Sequence, residues 1–330
     1  MPDLTFVIIV IAIALIFDFV NGFHDSANSI ATVVATNVLS PRNAVLMAAF
    51  GNFIGAFIFS VAVATTIAKG IIDPKIVDIY VILGALIGAI IWNLITWHYG
   101  LPSSSSHALI GGLIGVGIVS SGFHSIILPG LVKVVIFIFV APILGFIGAI
   151  SFSIIMMWAF REKKPAKVNN YFRKLQLVSS SLYSLGHGTN DAQKTMGIIA
   201  LLLFTTGYLD SFYVPRWVIL ISHASIALGT YFGGWKIIKT MGTKITKLTP
   251  FHGFSAETSG ALVLLTTANL GIPVSTTHVI SGSIMGVGSV KRSSGVRWQI
   301  TRKIAWAWVL TIPVSAIIGG FSYFMIKLFI

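Results

Sequence analysis

Residues 271–288, GIPVSTTHVISGSIMGVG, repeat residues 100–117, GLPSSSSHALIGGLIGVG, without a gap at an offset of 171. Eight of the 18 positions are identical, among them Pro, Ser, His and four Gly. Half of the remainder exchange Ile for Leu or Ser for Thr. Two glycine-rich apolar runs arise easily in a hydrophobic chain. The shared order of Pro, hydroxyl cluster, His and then glycines one helical turn apart does not. The chain therefore carries one unit twice, and its fold must be one that two copies can build together.

The medium for that fold is lipid. Only 9% of the residues are charged and 55% are hydrophobic, whereas soluble domains carry roughly 25% charged residues. Apolar runs near 20 residues recur, as at 79–97 and 305–324. That is the length a bilayer core of about 30 Å asks of a helix. The start of the chain has no basic region, and Asp3 is its first charge, which speaks against a signal peptide. The net charge of +13 does not indicate nucleic acid, because the cations cluster at 161–174, 236–247 and 291–303, between apolar runs. Such segments mark the cytoplasmic side and meet lipid headgroups. Without Cys there are no disulfides and no thiolate metal site.

Taken in order, the apolar run 4–17 leads into Asp18, Asn21, Gly22, His24, Asp25, Ser26, Asn28 and Ser29 at a depth where the membrane should continue. Backbone amides in lipid need partners, so a break in the helix is expected here, facing protein or water. The second half repeats the arrangement. Residues 182–185 lead into Gly186, His187, Gly188, Thr189, Asn190, Asp191, Gln193, Lys194 and Thr195, and Asp25 pairs with Asp191 at an offset of 166. At 171, Asn52 falls opposite His223. Pro102 pre-sets a helix start with Ser103, Ser104, Ser105 and Ser106 at its first turn. The run 108–119 is too short to cross alone, which predicts a re-entrant half-helix. The expected architecture is an all-α polytopic membrane protein of two inverted repeats, with broken helices and re-entrant half-helices. Repeat 1 is residues 1–160, a basic cytoplasmic linker is 161–174, and repeat 2 is 175–330. Inverted repeats with discontinuous helices are the mark of secondary transporters.

A helix N-terminus offers free N–H groups and a partial charge of about +0.5. Two such ends brought face to face make a cage for a tetrahedral oxyanion. Ser104, Ser105 and Ser106, with Ser275, Thr276 and Thr277, are the candidates. Asp25 and Asp191 are intramembrane carboxylates, functional by default. No Lys or Arg lies between Met1 and Val38, so Asp18 and Asp25 have no local cation. Lys194 can pair with Asp191 or with an anionic substrate. Asn21, Asn28, Asn190 and Gln193 offer hard oxygen donors suited to alkali ions. A dianion and two aspartates bring about −4, Lys194 and two helix ends return about +2, and the remaining −2 calls for two monovalent cations or protons. Glu257 raises that requirement by one if it joins. His24, His187, His107 and His278 read as packing residues. No HExxH, CxxC, Walker or GxSxG pattern occurs, so no catalytic residue and no cofactor are expected.

At these residues the sequence resembles the inorganic phosphate transporter family of sodium–phosphate symporters. Its members carry two copies of a G-x-N-D-x-x-N/K element. The second copy is kept at Gly188, Asn190, Asp191 and Lys194, and the first departs, with His24 before Asp25, ahead of Asn28. The P-x-S-T/G-T-H element matches closely at residues 273–278 and, with serines, at 102–107. The likeness covers nearly the whole chain. The large cytoplasmic insertion of some eukaryotic members is absent, and 161–174 stands in its place.

The resemblance implies a multi-pass cell-membrane symporter of inorganic phosphate with sodium, working by alternating access, both termini outside, and dimeric. Phosphate is then expected at Asn28, Ser104, Ser105, Ser106, Gln193, Lys194, Thr195, Ser275, Thr276 and Thr277. Sodium, as a co-transported ion, is expected at Asn21, Asp25, Asn190, Asp191 and Glu257. Glu257 matches an acid that the family uses ahead of the second P-x-S-T-T-H element, and Asn52 stands where eukaryotic members have another. Some relatives use protons, move metal–phosphate complexes or carry sulfate. An anion channel or a membrane-embedded enzyme would need no pseudo-symmetry of this kind.

Overall fold

The computed structural model describes residues 3–58, 61–290 and 292–329. Met1, Pro2, Phe59 and Ser60 of repeat 1, and Lys291, at the head of the third basic segment, and Ile330 of repeat 2 lie outside them.

Among the described residues each half contributes six α-helices. The first half holds α1 (Leu4–Ala35), α2 (Pro41–Ile54), α3 (Ala62–Gly70), α4 (Ile79–Tyr99), α5 (Ser105–Ser121) and α6 (Leu128–Ala159). The second holds α7 (Pro165–Thr205), α8 (Arg216–Phe232), α9 (Trp235–Lys239, continued by a π turn at Thr240–Lys244), α10 (Pro250–Asn269), α11 (Thr276–Ser289) and α12 (Trp298–Leu328).

The duplication is written in the caps. Asp78 accepts the Val81 N–H at the start of α4, and Thr249, 171 residues on, accepts that of His252 at the start of α10. Ser104 and Ser275 cap α5 and α11 by accepting the N–H of His107 and His278, each at 3.2 Å. Gly100 and Gly271 end α4 and α10 with φ +64° in both, a left-handed turn that suits glycine. The hairpins α4–α5 and α10–α11 thus share one local code. At 17 and 14 residues, α5 and α11 extend about 26 and 21 Å, short of a bilayer core of about 30 Å. Pro102 and Pro273 do not start these helices. They lie two residues before the caps, because Ser104 and Ser275 take the N-cap role and the helix begins after them.

The expected breaks at Asp25 and Asp191 do not occur. Both α1, at 32 residues, and α7, at 41, run unbroken through them. The two aspartates find partners on α11, from Thr277 and Thr276. The broken spans lie elsewhere and correspond between halves. Pro41–Phe57 turns by 83° into Ala62–Gly70, and Arg216–Phe232 turns by 62° into Trp235–Lys244. The basic segment 236–247 is therefore, as far as Lys244, the helical second limb of a broken span, held by buried Ile237, Ile238 and Met241. Likewise 161–174 is helical from Pro165 onward and forms the first turns of α7.

The halves exchange contacts reciprocally. α5 packs on α12 while α11 packs on α6, α4 meets α12 while α10 meets α6, and α1 meets α8 while α7 meets α2. Such swapped pairs are what a two-fold axis between halves produces. Small residues make the close approach feasible. A Cβ on Gly282 of α11 would lie 2.1 Å from the Pro142 carbonyl oxygen of α6, and one on Gly111 of α5 would lie 2.6 Å from that of Ile312 in α12. Large apolar side chains on α6 and α12, such as Phe139, Ile147, Ile317 and Phe321, face outward, as lipid-facing residues do.

Candidate functional site

The first turns of α5 and α11 converge at the centre of the protein. The rings of His107 and His278, third residue of each helix, lie edge to face with centroids 4.9 Å apart. The helices that bracket this junction are α1 and α7, and each supplies one polar face.

From α7, the Lys194 ammonium donates to Asp191 Oδ1 and Ser106 Oγ and reaches the Val274 carbonyl at 3.4 Å. It is fully buried and ties the first turn of α5 to the approach of α11. From α1, Asn28 donates to Thr276 Oγ1 at 3.1 Å and Thr277 Oγ1 at 3.0 Å. Asn28 and Lys194 correspond at the offset of 166, and Ser106 and Thr277 at 171. Each half thus reaches across to the hydroxyl cluster of the other.

The two aspartates join the same shell. Thr276 donates to Asp191 Oδ2 at 2.9 Å and Thr277 to Asp25 Oδ1 at 3.4 Å. His24 Nδ1 lies 2.7 Å from Asp25 Oδ1, and its Nε2 lies 3.0 Å from Thr96 Oγ1. His187 Nε2 lies 3.1 Å from Asp191 Oδ2. Asp25, His187 and Asp191 each offer a ligand atom within 4.8 Å of the others. Around them the Oδ1 of Asn28, the Oδ1 of Asn190 and the Oγ of Ser105 are buried without a hydrogen bond. Two carboxylates, one ammonium, two helix N-termini and free oxygens in one dry shell suit an anion and small cations held together.

Not every expected residue comes to this shell. Ser104 and Ser275 commit their acceptor to their own helices. Gln193 turns away: its Oε1 accepts the N–H of Val63 at 2.9 Å and of Ala64 at 3.2 Å, capping α3, and its Nε2 donates to Thr189 O. Two residues past Asp191 on a helix, it points to the opposite face. Thr195 faces Asp18 on α1, as Asn21 does. Asn190 is divided: its amide N–H donates to Leu264 O on α10, while its Oδ1 stays free at the shell. Glu257 lies in a nest of neutral donors apart from the aspartates, accepting from Thr32 at 2.6 Å, Gln176 at 2.9 Å and Ser179 at 2.5 Å.

Sequence reasoning passed over several partners. Tyr183, fully buried, donates to Thr276 O at 2.9 Å and props the α11 approach. Ser103 joins Thr96 at 2.8 Å behind His24. Thr32 was visible in principle, since it follows Asp25 by two turns on one face of α1. Asn52 and His223, paired by the repeat, touch: His223 Nδ1 lies 2.6 Å from Asn52 O.

Residues 21–319 match the model of the phosphate transporter family. A protein of Rhizobium meliloti named "Probable low-affinity inorganic phosphate transporter" is 56% identical, covering 95% of this chain and 94% of its own. One of the same name in Bacillus subtilis is 46% identical over 97% of each. Among solved structures, one titled "The sodium-dependent phosphate transporter" superposes with a TM-score of 0.89 at 28% identity, covering 99% of this chain and all of that one. The family consists of transporters, not enzymes. With four helices among the described residues long and apolar enough to cross a membrane, or up to six if each bent pair is one span, this chain is a multi-pass membrane protein and belongs to the phosphate transporter family.

Proposed function

We propose that the protein is a secondary active transporter that carries inorganic phosphate together with sodium across the cell membrane by alternating access between two inverted halves. The observation that carries this reading is the shell in which Lys194, Asn28 and the hydroxyls of Ser106, Thr276 and Thr277 join the N-termini of α5 and α11 beside Asp25 and Asp191.

Phosphate takes the place between the two helix ends. The free N–H groups there, Lys194, Asn28, Ser105, Ser106, Thr276 and Thr277 are its donors. Sodium binds at Asp25 and Asp191, with the free carbonyl oxygen of Asn190 as a neutral ligand. Glu257 forms a separate cation position, because its hydrogen-bond partners are neutral and, among the described residues, no Lys or Arg pairs with it. Transport moves one half against the other, so that the junction at His107 and His278 opens to each side in turn. The reciprocal packing of α5 on α12 and α11 on α6 supports an inverted arrangement.

The basic segments lie in the cytoplasm and the termini outside. In support, the three segments gather around one end: Arg161 and Lys163 line a cleft with Thr249 and His252, and Lys247, Arg292 and Arg297 line the next one, which shares His252. A homodimer rests on the family resemblance alone.

The deciding experiment is radiolabelled phosphate uptake into proteoliposomes under an inward sodium gradient or an inward proton gradient, with excess sulfate as competitor. Uptake driven by sodium and indifferent to sulfate agrees with the proposal. Uptake driven by protons alone makes the aspartates proton carriers. Sulfate-sensitive flux with no gradient dependence returns the sulfate or channel reading.

A further inference from the structure

Asp18 is the acid that the site above leaves unexplained. It lies on α1, seven residues before Asp25 and on the same face, about 10 Å away along the helix axis. It is completely buried, and neither carboxylate oxygen receives a hydrogen bond. It looks toward Thr195 and Asn21. The Thr195 hydroxyl and both amide atoms of Asn21 are buried and lack a partner as well. Five polar atoms on three side chains from two helices thus face one another, with Thr195 and Asn21 turned to Asp18, and none makes a hydrogen bond of regular geometry.

A buried, unpaired carboxylate costs several kcal/mol. The nearest ammonium, Lys194, acts on it only at a distance and makes no hydrogen bond to it. A lysine has three donors, and those of Lys194 go to Asp191, Ser106 and the Val274 carbonyl. Asp191 adds a second negative charge nearby. The repeat supplies no twin to share the load, because the counterpart of Asp18 at the offset of 166 is Ser184, whose hydroxyl donates to Ser180 O at 2.8 Å.

We infer that Asp18, Asn21 and Thr195 form a separate monovalent-cation site, distinct from the one at Asp25 and Asp191. One carboxylate with a neutral amide oxygen and a hydroxyl is a hard-oxygen set of charge −1, which matches an alkali ion rather than a divalent one. Asp18, Asp25 and Thr32, the last bonded to Glu257, lie two turns apart in sequence along one face of α1. The Asp18 site is the end of that row nearest the N-terminus of α1, a station for sodium before or after the central shell. This inference rests on sodium coupling, proposed above.

The test is equilibrium binding of radiolabelled sodium to the purified full-length protein, with thermal unfolding measured in sodium chloride and in choline chloride. Asp18→Asn should bind one fewer sodium per chain than wild type. In choline it should melt above wild type, since the lone charge is gone, and in sodium that advantage should shrink or reverse. Asp25→Asn is run beside it. If Asp18→Asn keeps the wild-type sodium count while Asp25→Asn loses an ion, the Asp18 site is refuted and the central one stands. If wild type binds no sodium saturably, the coupling proposal itself falls, and this site with it. Should Asp18→Asn not be recovered folded, Thr195→Val reads the same site: weakened sodium binding supports it, and an unchanged titration overturns it.

Discussion

The imidazole rings of His107 and His278 meet edge to face, centroids 4.9 Å apart, although 171 residues separate them in the chain. Equivalent residues of two copies can touch only near the axis that relates the copies. Asn52 and His223, also 171 apart, touch as well, and Asp25 and Asp191 share one shell with His187. These pairs meet at the polar shell, as they would on an axis relating the two copies. His278 is further fixed by stacking on Trp308, centroids 4.1 Å apart.

Lys194 should behave as a structural and a functional residue at once. Lys194→Gln leaves Asp191 buried and uncompensated, which should cost about 3–5 kcal/mol. Adding Asp191→Asn removes the stranded charge. The double variant should regain most of the thermal stability and none of the phosphate uptake. Recovery of uptake in the double variant would show that neither charge takes part in transport.

Asp25→Asn keeps the size of the side chain and removes its charge. The protein should fold and elute as wild type does, while sodium-driven phosphate uptake falls to background in proteoliposomes. Wild-type uptake in this variant would remove Asp25 from the coupling site.

Glu257 accepts from three neutral donors apart from the aspartates. Glu257→Gln should therefore raise the sodium concentration for half-maximal uptake and leave phosphate affinity at saturating sodium unchanged. A change confined to phosphate affinity would contradict a separate cation position.

The absence of Cys makes sidedness directly measurable. Phe123 and Ser294 correspond at 171, and both are exposed. Single cysteines at these two positions should react with a membrane-impermeant maleimide from opposite faces of the membrane, Phe123→Cys from outside and Ser294→Cys from the cytoplasm. Labelling of both from one face would rule out inversion of the halves.

Close helix packing should tolerate no side chain at Gly115. A Cβ there would lie 1.9 Å from the Ala316 carbonyl oxygen, and Gly70 offers a control whose Cβ would meet only the Thr66 methyl at 3.5 Å. Gly115→Val should destabilise by about 3 kcal/mol or more, the upper part of the overpacking range. Gly70→Ala should be near neutral in thermal unfolding.

What the sequence determined by itself is local or periodic. The two copies, their lipid medium, and the hairpins before α5 and α11 follow from residues within a few positions of one another. A Ser cap bonds three residues along, a left-handed glycine acts on its own turn, and an apolar run of sufficient length partitions into lipid wherever it stands. Tertiary structure decided whatever depends on a partner far away in the chain. Asp25 and Asp191 look like helix breakers in isolation, yet α1 and α7 run unbroken, and Thr277 and Thr276 of α11 meet those carboxylates from the side. Gln193 reads as a ligand and is a cap for α3, because residue 63 is delivered to it by the bend between α2 and α3. Glu257 and Asp18 look alike as buried acids, but one accepts three close hydrogen bonds and the other only faces Thr195 and Asn21. That difference is made by the helices packed against each, and no spacing within the chain encodes it.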